Sequence, residues 1–156
     1  MLTGLYNRRK LEEVCTAALT HARVHSRPSS LLLVDLDRLK QMNDTFGHPA
    51  DDALINTVVK TIRDQLREQD ILGRLGGDEF VVVLPATSED VAKKLADQIC
   101  QAVRNQPFLW EDQEMAMSIS VGVASLSDAD SCWQDWLKRA DNNLYQAKKG
   151  GGNQIV

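Results

Sequence analysis

The amino-acid sequence predicts an α+β fold in which helices pack against a mostly antiparallel sheet. Amphipathic helical segments are interleaved with short apolar runs of strand length, as in sheets covered by helices. Two of these runs are separated by Gly76 and Gly77, which is typical of a β-hairpin and therefore of an antiparallel pair. The chain has 156 residues, which is the size of one domain with a sizeable core.

The elements follow from periodicity and from capping residues. Asn7 and Ser88 stand where N-caps are expected, Pro28 stops the first helix, and a glycine cluster follows the last one. The expected elements are a helix at 7–26, a strand at 30–37, helices on both sides of a break at 47–49 within 38–66, a hairpin at 70–85, a helix at 88–106, a strand at 115–126, a helix at 131–150 and a short terminal strand at 154–156.

Composition excludes several classes of protein. The net charge of −4 argues against a broad nucleic-acid-binding face. Three dispersed cysteines without a CxxC pair indicate neither a disulfide framework nor a zinc site, and they fit a reducing, cytoplasmic setting. No transmembrane or signal segment is evident, so we expect no membrane contact by the domain itself. The abrupt start predicts a domain cut from a longer protein, which could carry a sensor or a membrane anchor.

Four acids stand at the ends of two apolar strands. Asp35 and Asp37 end one strand, and Asp78 and Glu79 open another. If the strands are neighbours, these carboxylates converge at one edge of the sheet and repel each other unless a cation lies between them. Hard cations such as Mg²⁺ bind oxygen ligands, and such a site could bind a triphosphate and activate a hydroxyl for in-line attack. Acids that are simply solvated at a hairpin turn remain the alternative.

Several longer segments carry a family resemblance. They are LTGLYNRR (2–9), DLDRLKQMNDTFGHPADD (35–52), GGDEF (76–80), SISVGVAS (118–125) and ADNNLYQAKKGGGN (140–153). In this order they cover essentially the whole chain, which therefore resembles the GGDEF family, the diguanylate cyclases. The resemblance implies one GGDEF domain over residues 1–156, with a fold related to the palm of adenylate cyclases and polymerases.

The resemblance also implies an activity. Members of this bacterial signalling family join two GTP molecules into cyclic di-GMP and release two pyrophosphates, in a Mg²⁺-dependent reaction for which Mn²⁺ is an alternative. Each subunit of a homodimer holds one GTP, and the 3′-hydroxyl of each GTP attacks the α-phosphate of the other. We therefore expect GTP and cyclic di-GMP as ligands and no nucleic-acid partner.

Roles for individual residues follow from the matching positions. The resemblance implies that Mg²⁺ is held by Asp35, the backbone carbonyl of Leu36, and Asp78. Asp78 would also help to deprotonate the 3′-hydroxyl, and Glu79 would support the metal site. The remaining roles are guanine recognition by Asn43 and Asp52 and phosphate contacts by Lys40 and Lys148, of which Lys40 is also a candidate catalytic residue.

A second site is implied by the segment REQD. Five residues separate Arg67–Asp70 from the GGDEF segment, which is the offset of the family's RxxD product-inhibition site. Arg67 and Asp70 would bind cyclic di-GMP there, because a guanidinium can bond phosphate or guanine acceptors and a carboxylate can accept from guanine. Outside the family context, RxxD would be read as a surface salt bridge at a helix end.

The chain departs from the family pattern at three positions. Leu39 replaces an aromatic residue, Asp51 replaces a glycine beside the expected guanine site, and Gly152 replaces an arginine that contacts the triphosphate. The loss of a bidentate guanidinium predicts weaker GTP binding than in a relative with the full pattern.

Two other functions compete with an active cyclase. A weak or silent GGDEF domain could act as a module that binds cyclic di-GMP or GTP, and Gly152 is the residue that favours this alternative. A palm-like nucleotidyltransferase acting on nucleic acid is the third hypothesis, but the acidic net charge and the absence of a basic stripe argue against it.

Overall fold

The computed structural model describes residues 5–38 and 44–156. The named elements are α1 (Arg8–His25), β1 (Ser29–Leu36), α2 (His48–Asp64), β2 (Ile71–Gly76), β3 (Glu79–Pro85), α3 (Glu89–Asn105), β4 (Phe108–Trp110), β5 (Gln113–Met115), β6 (Ile119–Ser125) and α4 (Trp133–Lys149). Residues 44–46 are also helical.

A four-stranded sheet in the order β2-β3-β1-β6 forms the centre of the molecule, and each neighbouring pair is antiparallel. The predicted α+β class with a mostly antiparallel sheet is therefore confirmed. The chain also ends in a short parallel bridge, in which Ile155 pairs with Val121 of β6. This bridge lies in the terminal strand expected at 154–156.

The central strands are buried on both faces, because helices cover the sheet on each side. One face of β1 presents Leu32 and Val34 to a core shared with α2 and α3. The other face presents Leu31 and Leu33 to a second core shared with α1 and α4. The continuous apolar run of β1 thus reflects two cores, whereas a sheet covered on one side would show alternation.

The capping residues confirm where the helices begin and end. The Asn7 side chain accepts from the Lys10 amide at 2.9 Å, and Ser88 accepts from the Val91 amide at 3.4 Å. Helix α1 ends in front of Pro28, with Ser26 in the left-handed conformation at φ 52°. Each cap satisfies an amide that the first helical turn leaves without a backbone partner.

One hairpin is missing from the sequence prediction. Strands β4 and β5 form a separate two-stranded sheet joined by a turn at Glu111 and Asp112, both with positive φ. Each strand is only three residues long, so periodicity carries almost no signal there. The turn also lacks the glycine or asparagine that usually marks such conformations.

Within the described ranges, no helix is both long and apolar enough to cross a bilayer.

Helix α4 approaches the sheet at Gly122, which leads to a test of the packing. A Cβ atom at this position would lie 2.0 Å from the Ala140 carbonyl oxygen and 2.4 Å from the Leu144 nitrogen. Since backbone atoms cannot yield easily, we expect Gly122→Ala to lower the free energy of unfolding by about 3 kcal/mol in urea denaturation. Gly150→Ala is the matched control, because its added Cβ would meet mainly the flexible end of Gln154. Equal stability of the two variants would contradict this account of the packing.

Candidate active site

The acids that end β1 and open β3 meet at one end of the sheet. Strands β1 and β3 are antiparallel neighbours, and their register places Asp35 directly opposite Glu79. The Leu36 amide donates to the backbone carbonyl of Asp78 at 3.4 Å, which brings the β2–β3 turn against the end of β1. Gly77 has a φ of 50°, in the left-handed region that favours glycine, and so allows the chain to turn tightly just before Asp78 and Glu79.

Asp35 is a largely buried carboxylate with only part of its charge compensated. Its side chain is 16% exposed, and Lys148 Nζ lies 3.0 Å from Oδ2. Its Oδ1 atom is buried and has no hydrogen-bond partner among the described residues. Burial raises the pKa of Asp35 to about 7, with a smaller contribution from Asp78 that Lys148 opposes.

The Lys148 ammonium group lies across the end of β1. It donates to the Leu36 carbonyl at 3.5 Å and lies 3.7 Å from Asp37 Oδ1, in addition to its contact with Asp35. Lys148 stands in the last turn of α4, so packing of this helix on β6 determines where the cation is placed. Lys148, which the family resemblance implies as a phosphate contact, lies beside two of the expected metal ligands, Asp35 and the Leu36 carbonyl.

Glu79 is also affected by the charged groups at this end of the sheet. Burial is the main cause that raises its pKa, and Asp141 and Asp78 raise it further, while Lys148 and Arg8 oppose the shift. Asp141 was not assigned a role from the sequence, although it belongs to the closing segment that carries the family resemblance. Its electrostatic effect on Glu79 places it near this end of the sheet.

Asp37 differs from the other acids in its partners. The hydroxyls of Ser118 and Ser120 each donate a hydrogen bond to its carboxylate at 2.7 Å, and the backbone amide of Asn153 donates to the same carboxylate at 2.8 Å. The two acids at the end of β1 therefore lie in different environments. Asp35 keeps an unpartnered oxygen, whereas the oxygens of Asp37 bind protein donors.

The donor set at this end of the sheet suits a hard divalent cation. Among residues 5–38 and 44–156, no three His, Cys, Asp or Glu side chains converge closely enough to hold a metal by themselves. A cation would therefore need backbone or substrate oxygens besides the carboxylates. The unpartnered Asp35 oxygen, the Leu36 carbonyl and Asp78 provide oxygen donors of the kind that Mg²⁺ prefers.

The residues expected to bind the nucleotide are only partly described. Lys40, expected to contact phosphate, and Asn43, expected to bind guanine, lie outside the described residues, as does the substituted position Leu39. Asp52 is exposed in the first turns of α2. Its neighbour Asp51 is largely buried, with one carboxylate oxygen unpartnered among the described residues, and burial is the main cause that raises its pKa.

Gly152 stands where the family pattern has an arginine, and its backbone conformation favours glycine. Its φ is +76°, and an added Cβ would lie 3.0 Å from Asp37 Oδ1. A side chain at this position would therefore need both a strained backbone and a shift of a carboxylate that holds three hydrogen bonds.

Arg67 and Asp70 lie away from the acids and bind each other. Arg67 donates Nη2 to Asp70 Oδ1 at 2.9 Å, Nε to Oδ2 at 3.2 Å and its backbone amide to Oδ2 at 2.8 Å. Nη2 also donates to Thr87 Oγ1 at 2.6 Å. The Asp70 side chain is completely buried, so its carboxylate stabilises the turn between α2 and β2.

A groove of about 420 Å³ adjoins this pair. It is lined by Arg63, Arg67, Glu68 and Asp70 together with apolar residues such as Tyr6 and Leu66. The lining thus offers guanidinium groups beside an apolar surface, which is a suitable combination for a nucleotide.

Comparison with known proteins gives a consistent result. A family model described as "Diguanylate cyclase, GGDEF domain" matches residues 1–154. Two similar proteins are the probable diguanylate cyclase DgcC of Escherichia coli K12, 37% identical over 98% of this chain, and the response regulator PleD of Caulobacter vibrioides, 36% identical over 99%. The chain spans 41% and 35% of the lengths of these two relatives.

Solved structures resemble the whole chain. The GGDEF domain of DgcB from Caulobacter crescentus, in complex with c-di-GMP, superposes with a TM-score of 0.95 at 26% identity. The match covers 100% of this chain and 92% of that domain. The palm-like fold expected from the sequence is therefore confirmed.

The environment of Asp35 predicts a pH dependence of stability. Its pKa of about 7 lies above the ordinary value of 3.8, so the folded state binds this proton more tightly than the unfolded chain does. The stability that Asp35 contributes is thus greatest in acid and is lost as the pH rises towards 7. Between pH 4 and 7, in EDTA, we expect the free energy of unfolding to fall by about 2 kcal/mol less in Asp35→Asn than in the wild type.

Urea denaturation at several pH values provides this measurement. Asp128→Asn, in an exposed loop, is the matched control and should follow the wild type. Parallel pH profiles for the wild type and Asp35→Asn would show that burial of Asp35 has no energetic consequence.

Proposed function

Because the chain belongs to the GGDEF domain family of diguanylate cyclases, we propose that it condenses two GTP molecules into cyclic di-GMP and releases two pyrophosphates. It acts as a homodimer in which each subunit holds one GTP, as a single domain within a longer cytoplasmic signalling protein. The observation that carries this proposal is the pairing of Asp35 with Glu79 across β1 and β3, next to an unpartnered carboxylate oxygen and the Lys148 ammonium group.

The residues at this end of the sheet have separate proposed roles. Asp35, the Leu36 carbonyl and Asp78 would hold Mg²⁺, or Mn²⁺ in its place. When bound there, the cation would supply positive charge that neutralises phosphate oxygens and polarises the reacting oxygens. Glu79 supports the metal site, because its carboxylate would attract the cation.

Substrate recognition involves both ends of the nucleotide. Lys148 and Lys40 contact phosphate oxygens, whose negative charge they offset both in bound GTP and in the transition state. Asn43 and Asp52 bond the edge of guanine, since an amide and a carboxylate together match its donors and acceptors. The absence of an arginine at Gly152 makes GTP binding weaker than in relatives that have one.

The chemical step is an in-line displacement that occurs twice. The 3′-hydroxyl oxygen of one GTP attacks the α-phosphorus of the other, and Asp78 accepts the hydroxyl proton. The bond from the α-phosphorus to the bridging oxygen of pyrophosphate breaks as the new phosphodiester bond forms. The same step in the opposite direction closes the ring of cyclic di-GMP. Both subunits are therefore required.

The direct test is the formation of cyclic di-GMP from GTP and Mg²⁺ at several protein concentrations. Since two loaded subunits must meet, we expect product to rise more steeply than linearly with protein and to fall at least about 100-fold in Asp78→Asn. Asp112→Asn, in the exposed β4–β5 turn, is the matched control. If a folded, forcibly dimerised chain gives no product, the cyclase activity is wrong.

A second candidate function is a module that binds cyclic di-GMP or GTP without turnover. The observation that favours it is Gly152, which lacks the guanidinium of the family pattern and whose conformation disfavours a side chain. Calorimetry separates the two functions. Tight binding of cyclic di-GMP by a forced dimer that makes no product would support the module.

Product inhibition at Arg67 and Asp70 is also proposed. Arg67 donates hydrogen bonds to Asp70 and Thr87, so product binding has to use its remaining donors or compete for those in use. Asp70 is completely buried and stabilises the turn, which makes it a poor choice for mutation. Arg67 is partly exposed and can be changed while its charge is kept.

We expect Arg67→Lys to raise the concentration of cyclic di-GMP that halves activity by about tenfold or more, because a lysine cannot form the two-pronged contacts of a guanidinium. The initial rate without added product should stay close to that of the wild type. Arg27→Lys, in the exposed loop between α1 and β1, is the matched control. Unchanged inhibition in Arg67→Lys would place the inhibitory site elsewhere.

A further inference from the structure

Asp37 has no role in the reaction described above, yet its carboxylate makes more polar contacts with the described residues than that of the neighbouring Asp35. Its side chain is only 10% exposed. It accepts hydrogen bonds from the hydroxyls of Ser118 and Ser120 and from the amide of Asn153. A carboxylate with three donors is held firmly in position, since hydrogen bonds to a charged group are stronger than those between neutral groups.

The donors to Asp37 come from two separate parts of the fold. The serines belong to β6 and the residue before it, whereas Asn153 follows α4 in a turn at residues 150–153, which we call the C-terminal turn. Asp37 itself follows the last residue of β1. Its carboxylate therefore ties the end of β1, the start of β6 and the C-terminal turn together at one point.

The C-terminal turn has an unusual backbone and needs such an anchor. Gly151, Gly152 and Asn153 have φ values of 109°, 76° and 52°, so three successive residues have positive φ. The amides of Gly151 and Gly152 donate back to α4, while that of Asn153 donates to Asp37. The contact with Asp37 is thus the point at which the turn leaves the helix and is attached to the sheet.

The same carboxylate also contacts the cation of the site. Lys148 Nζ lies 3.7 Å from Asp37 Oδ1 and 3.0 Å from Asp35 Oδ2. Both carboxylates contact Lys148 of α4, so both lie on the side of the sheet that α4 covers. The lysine is held between them, and the turn that directly follows its helix is attached to one of them.

From these contacts we infer that Asp37 is a positioning residue of the nucleotide site. It acts on Lys148, both directly and through the C-terminal turn that follows α4, and so fixes the ammonium group in the position needed to bind the phosphates of GTP. The inference rests on the proposed function, because it assigns Lys148 to the substrate's phosphates. Its physical basis is that a long, flexible side chain binds better when its conformation is restricted before the ligand arrives.

The test is steady-state kinetics of the Asp37→Asn variant, which keeps the size of the side chain and removes its charge. A phosphate contact present in both the bound substrate and the transition state affects KM more than kcat. We therefore expect KM for GTP to rise by about tenfold while kcat stays within about threefold. If Asp37 served only to stabilise the fold, the variant would contain less active protein, and kcat would fall at an unchanged KM.

A double-mutant cycle with Lys148→Ala tests the route of the effect. If Asp37 acts through Lys148, then Asp37→Asn should change KM by less than about twofold once the lysine is gone. Fully additive effects of the two changes would overturn the inference. Asp97→Asn is the matched control, because this exposed carboxylate on α3 bonds only Gln101 among the hydrogen-bond partners described.

Two further measurements keep the inference testable in all cases. If Asp37→Asn does not fold, Ser118→Ala removes one of the three donors to Asp37 and should raise KM by about threefold, whereas an unchanged KM would overturn the role of Asp37. If the wild type makes no cyclic di-GMP, the proposed cyclase activity fails by itself. Calorimetric titration with GTP and Mg²⁺ then decides, since equal affinity in the wild type and Asp37→Asn, or no binding by either, would overturn the positioning role.

Discussion

The placement of a carboxylate at the end of a strand buried on both faces is the constraint on which this structure depends. Asp35 follows a run of apolar residues that lie in two cores, and burial is the main cause that raises its pKa to about 7. A single cation, Lys148, compensates part of this cost, and one carboxylate oxygen remains without a partner among the described residues. The protein thus keeps a buried carboxylate whose charge is only partly compensated, at some expense in its own stability.

The rest of the fold brings groups to this point. Antiparallel pairing of β1 with β3 delivers Glu79, and packing of α4 on β6 delivers Lys148. The close approach of α4 at Gly122, where no Cβ atom fits, determines how deeply the helix lies against the sheet. A change far from the acids can therefore move the lysine, because the helix transmits any displacement along its length. The Asp37 carboxylate anchors the turn that follows this helix, because it accepts a hydrogen bond from the backbone amide of Asn153.

The open end of the β2–β3 hairpin, opposite its turn, shows a different balance of charge. Arg67 and Asp70 compensate each other almost completely, and Asp70 is fully buried. Burying such a pair costs desolvation, which its hydrogen bonds offset. The acidic end of the sheet is therefore under-compensated, whereas the charges of Arg67 and Asp70 largely offset each other.

Local pattern by itself determined the fold class, the helix caps, the GGDEF hairpin and the segments that define the family, because these depend on residues close together in the chain. It missed the β4–β5 hairpin, whose strands are too short for periodicity to register. Only the tertiary structure decided that Asp35 and Asp37, two residues apart, have different partners, and that Asp51 is buried. The different partners of Asp35 and Asp37 depend on Ser118, Ser120, Lys148 and Asn153, which are distant in sequence from β1. The charge state and the orientation of a carboxylate are determined by its neighbours in space, and a linear sequence does not specify these neighbours.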